Sequence, residues 1–144
     1  MEENKKEISL NVFSSFIFLT NAVLAYYYDY TIYLLIFTLL FITSINYHYY
    51  QNMITNIFDK IGILLVVSYG FYIFVNKCCN KTFVIKDYIC AVGVIVTFLL
   101  TIYLYCYGYI CNEYCFCQDT ITQEYYHAFL HFMASLGHHI IIIM

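Results

Sequence analysis

The chain has 144 residues, of which 63% are hydrophobic and 10% charged. A soluble domain is usually about 45–50% apolar and about 25% charged, so so few charges cannot cover a water-soluble globule of this size. The aromatic content of 22% excludes a disordered chain, and a net charge of −3 without one Arg excludes the basic patch that nucleic acid requires.

What remains is an all-α, polytopic transmembrane helical bundle. At roughly 20 residues per span, five spans with connections fit one domain over residues 1–144. A charged leader (Glu2, Glu3, Lys5, Lys6, Glu7) precedes span one, expected over about 8–28. The run is too long for a secretory signal and more spans follow, so it reads as retained. Span two is expected over 30–50, span three over 56–75, span four over 82–106 and span five over 125–144. Asn76–Lys81 reads as a polar loop and Cys111–Glu124 as the longest polar connection. The runs are apolar all round, as lipid-buried helices are. The alternating polarity of a membrane barrel is missing. Without Pro no kink is required, and Gly62, Gly70, Gly93, Gly108 and Gly137 are expected as close-packing points.

Lys77, Lys81 and Lys86 flank the connection between spans three and four, whereas the next connection carries Glu113, Asp119 and Glu124. Positive charge marks the cytosolic side, which puts the N-terminus outside and the C-terminus inside. Asn80-Lys81-Thr82 is a glycosylation sequon in the loop so assigned to the cytosol. Cys106, Cys111, Cys115 and Cys117 cluster at the opposite side, where one or two disulfides are expected. Their spacing matches no usual four-Cys zinc pattern. Tyr residues crowd the span ends as an interfacial belt.

Ionisable residues inside spans are costly and point to function. Ser44 and His48 lie four apart near the end of span two, Asp59 near the start of span three, and His127 and His131 four apart near the start of span five. A four-residue spacing puts each pair on one helical face. Antiparallel spans bring all five to one membrane surface. Three imidazoles with one open position describe a catalytic zinc site. Asp59 could accept a water proton or orient an imidazole. Ser44 could donate to an oxyanion or complete the metal environment. Two blander readings stand beside this: hydrogen bonds between helices without metal, and a serine hydrolase built on Ser44, His48 and Asp59, for which no G-x-S-x-G elbow exists. His138 follows His127 by eleven residues, ~16 Å along the axis, and is expected to make a hydrogen bond near the cavity floor.

The string Ser44-x3-His48-x10-Asp59, with His127-x3-His131, resembles the superfamily of alkaline ceramidases, progestin and adiponectin receptors (with hemolysin III) and myomaker-like proteins. HAFLHFMASLGHHIII from His127 is similar to the final ceramidase helix. TSINYH (Thr43–His48) and FDKIGIL (Phe58–Leu64) are as close to the myomaker-like branch. The resemblance implies zinc on His48, His127 and His131, and Ser44 and Asp59 taking part in hydrolysis of a lipid amide such as ceramide. The alternative it carries is a non-enzymatic zinc-stabilised protein acting through lipid or partner contacts. The family has seven spans and the shortfall here lies between Asp59 and His127, which leaves the cavity open to lipid or needs a second copy of the chain to close it. The ceramidases also have an acidic, Trp-containing calcium-binding leader, to which Glu2-Glu3-Asn4 alone does not amount. The implied location is the endoplasmic reticulum or Golgi, or a host membrane, since the Arg-free, Ile-, Asn- and Tyr-rich composition fits an AT-rich viral or protist genome.

Overall fold

The computed structural model describes residues 9–144, so the charged leader and Ile8, the expected start of span one, lie outside the described residues. The described residues are all-helical: α1 (Leu10–Ser15), α2 (Ile17–Tyr27), α3 (Thr31–Tyr50), α4 (Met53–Asn80), α5 (Ile85–Ile102), a π-helical turn (Tyr103–Tyr107), α6 (Gly108–Cys111), a short 3-10 turn (Tyr114–Phe116) and α7 (Thr120–Ile143). Four stretches are long and apolar enough to cross a membrane: Leu10–Tyr27, Thr31–Tyr50, Met53–Asn80 and Ile85–Cys111. The fifth, α7, has 24 residues, ~36 Å of helix. It falls short in apolarity because Gln123, Glu124, His127, His131, His138 and His139 interrupt it.

Local chemistry explains the helix ends. The Asn52 side chain accepts from Thr55 N and starts α4 three residues before the expected point. Asp119 does the same for α7 through Thr122 N, and these bonds hold its carboxyl below its ordinary range. The expected loop at Asn76–Lys81 is helical through Asn80, because α4 runs on past the apolar layer. Lys77 then donates to the carbonyls of Ile141 and Ile142, and Lys81 to that of Met144. Two of the lysines thus cap the α7 C-terminus, where the helix dipole favours cations. Between α1 and α2, the Ser14 and Ser15 hydroxyls both donate to the carbonyl of Asn11. Such back-bonding competes with the helical ladder, and Phe16 N bonds Phe13 O instead of the residue four back.

The helices pack α4 on α3, α3 on α2, α1 and α2 on α7, and α7 on α5, and α4 also meets α7. The core is Phe18, Ala22, Tyr33, Phe37, Val66 and Ile141. No Cα of α4 lies within 8 Å of one in α5, although the two are consecutive. A gap therefore lies between these two helices, beside α7.

The glycines do mark close approaches. A Cβ on Gly137 would lie 2.6 Å from Thr97 Oγ1 on α5, and one on Gly70 would lie 2.5 Å from both Tyr33 Oη and His138 Cε1. At Gly93 it would meet only the tip of Ile140, at 3.3 Å. Gly70→Ala is expected to destabilise the fold by about 1–3 kcal/mol, the usual range for overpacking, with Gly93→Ala near neutral. Thermal unfolding in detergent measures both.

Candidate metal centre

His48 stands two residues before the end of α3, and His127 and His131 in the first half of α7. Their potential ligand nitrogens all lie within 4.8 Å of one another. Ring centroids are 4.8 Å apart for His48–His127 and His127–His131, and 5.2 Å for His48–His131. His48 and His131 are buried, and His127 is half-buried. The Nε2 of His48 is buried with no protein partner among the described residues. A buried, unpartnered ring nitrogen in hydrocarbon is costly, and a cation among the three rings would satisfy it. The chain is thus an all-helical protein with several helices able to cross a membrane and a buried three-histidine group able to hold a metal ion.

The surroundings of this group decide which atoms remain available. Ser14 Oγ lies 2.8 Å from His131 Nδ1. The same Oγ also lies 3.1 Å from Asn11 O; with the hydroxyl proton on that carbonyl, the serine oxygen accepts and His131 Nδ1–H donates. That leaves the Nε2 lone pair of His131 for a metal, and Ser14 is a positioning residue for the ring. The same logic fixes Ser44. Ser15 Oγ donates to Asn11 O, so in the 2.8 Å contact between Ser15 and Ser44 the donor is Ser44. With its proton so engaged, Ser44 keeps lone pairs free on the cavity wall. Ser14→Ala is expected to weaken metal affinity about 10–100-fold, as loss of a ligand-orienting partner does, in a chelator competition assay.

Asp59 is 4% exposed. Its Oδ2 is 3.8 Å from Lys60 Nζ and its Oδ1 is buried with no partner. Among the described residues it makes no hydrogen bond to the three imidazoles. Lys60 also lies 5.2 Å above the ring of Tyr105, in the π-helical turn, and so bridges the gap between α4 and α5.

Asp59, Lys60, Ser44, His127 and His131 line one cavity of about 330 Å³. It extends between α4 and α5 along apolar walls that include Phe18, Phe37, Leu40, Val66 and Phe98. The size falls within the range of small-ligand sites. The π-helical turn carries Tyr105 and Cys106 to its rim.

The expected disulfides are not formed: all seven cysteines are free. Cys115 is buried while Cys106 and Cys111 are exposed, so the thiols face different surroundings. Burial pushes the Cys115 thiol up to about 11. His138 makes the expected hydrogen bond, with Tyr33 as its partner. Ser14, Ser15 and Lys60 are site residues that sequence reasoning missed.

Comparison with protein-family models, with curated proteins and with solved structures gave no match.

Proposed function

We propose that the chain is a membrane-embedded, zinc-dependent hydrolase of lipid amides, a shortened relative of the alkaline-ceramidase branch. The observation that carries this reading is three clustered imidazoles, two of which (His127 and His131) share the wall of one apolar cavity with a buried, half-satisfied carboxylate. Bound at His48, His127 and His131, zinc supplies a Lewis acid and brings the ionisation of water near neutral pH.

The chain's own residues do the rest. His131, oriented by Ser14, and the unpartnered Nε2 of His48 are ready acceptors of a cation. Asp59 Oδ1 takes the proton of the attacking water. The water oxygen bonds the acyl carbon, the C–N bond breaks, and the proton passes to the amine. Lys60 at the cavity wall pairs with the carboxylate released. The apolar walls hold the acyl chain and exclude bulk water. In this reading α7 is the fifth span. Its lipid-facing side is Phe129, Phe132, Leu136 and Ile143, while His131 and His138 turn inward. The lysine distribution places the N-terminus on the non-cytosolic side of an endomembrane or host membrane; a glycan on Asn80 in a eukaryotic host would reverse that orientation.

The test is release of fatty acid from an N-acyl sphingoid base by zinc-loaded protein in detergent, lost in His131→Ala. A second reading, a zinc-stabilised membrane protein without catalysis, draws on the gap between α4 and α5, which leaves the site open on one side. Metal bound without release of fatty acid selects it.

A further inference from the structure

The cavity does not end in hydrocarbon. On its wall below the histidine cluster stands His138, 3% exposed. Its Nδ1 is 2.6 Å from the hydroxyl of Tyr33, which is fully buried. Phe37 and Phe98 stand edge-on to the imidazole, with centroids 5.2 and 5.9 Å away. Polar groups at such a depth are expensive unless used. Space is made for them, since Gly70 leaves room where any larger residue would strike both side chains.

The pairing is incomplete. Nδ1 is engaged with Tyr33, but Nε2 has no hydrogen-bond partner among the described residues. If Tyr33 donates to Nδ1, Nε2 carries a proton to give. If Nδ1 donates to Tyr33, Nε2 has a lone pair to fill. A hydroxyl satisfies either form, because it both donates and accepts; a carbonyl or an amide N–H satisfies only one. His138 lies seven residues beyond His131, nearly two full turns, so both rings share one face of α7 about 10 Å apart. Ala134, between them, also lines the cavity. The chamber is thus polar at two points and apolar in between.

We propose that His138, held from behind by Tyr33, forms a second polar subsite that binds a hydroxyl group carried along the hydrocarbon chain of the ligand, about 10 Å from its polar head. The ligand class is a hydroxylated acyl lipid. This inference rests on the reading of the cavity as an acyl-lipid site.

The experiment is displacement of an environment-sensitive fluorescent fatty acid from the full chain in nanodiscs. The competitors are stearic acid, stearic acid with a mid-chain hydroxyl, and stearic acid with a hydroxyl beside the carboxyl. The mid-chain isomer is expected to compete about fivefold better than the other two, the worth of one hydrogen bond to a buried partner. His138→Phe is expected to erase that preference while retaining bound zinc, and Tyr33→Phe to narrow it. Should His138→Phe fail to fold, the wild-type ranking and Tyr33→Phe still decide. Equal competition by all three acids overturns the subsite and leaves the acyl-lipid cavity standing. No displacement by any of them overturns both.

Discussion

Metal analysis of the purified chain is expected to return about one zinc per polypeptide, and His131→Ala to return almost none. Three neutral imidazoles are a sufficient set for zinc, and two are not a usual one. The rings have little distance to cover. Zn–N bonds of ~2.0–2.1 Å in tetrahedral array put the nitrogens about 3.4 Å apart, and here they already lie within 4.8 Å. Side-chain rotation alone closes that difference. His138→Ala is the control, since that ring sits about two turns away and touches none of the three. Binding to the folded state alone adds stability by mass action, about 4 kcal/mol when free metal is a thousandfold above its dissociation constant. Chelation is then expected to lower the unfolding temperature by on the order of 10 °C. Wild-type protein without metal, or a variant that keeps it, sinks the assignment.

Asp59→Asn is expected to move activity and stability in opposite directions. As the proton acceptor for water, Asp59 should be worth about 10²–10⁴-fold in rate, the usual span for a positioned general base. The amide keeps the shape and loses the basicity. Stability should rise instead. Asp59 is buried with one oxygen unpartnered and the other 3.8 Å from a half-exposed ammonium. Removing a poorly compensated buried charge relieves desolvation, so a gain of about 1–3 kcal/mol is expected. Fatty-acid release and thermal unfolding, measured on one preparation, check both signs. A variant that loses stability and activity together would make Asp59 a structural residue and refute its role as the base.

The histidine cluster was legible because helical periodicity is rigid. A spacing of four fixes the shared face of His127 and His131, and the antiparallel order of apolar runs fixes which ends meet. Ser14 was not legible for the complementary reason. In a run apolar on every side, nothing local says which face of α1 turns toward α7, and Ser14 differs from Thr20 only in where packing puts it. Lys60 escaped because its sequence neighbours give no sign of a cavity, and only the gap beside α5 shows that it stands at one. The end of α4 was misplaced because polarity at Asn76–Lys81 signals departure from lipid, which a helix can do without unwinding. The disulfide expectation failed because the cysteines that are close in sequence lie in different surroundings, Cys115 buried and Cys106 and Cys111 exposed.

The missing contact between α4 and α5 sets how this protein would meet its ligand. With α4 and α5 both spanning a bilayer, as the proposed function has them, a chamber open between them is loaded from a two-dimensional phase, not from water. Its occupancy follows the mole fraction of the ligand among the surrounding lipids, and inert lipid added at constant total ligand dilutes it. Solubility in water, which governs access for most enzymes, drops out of the rate.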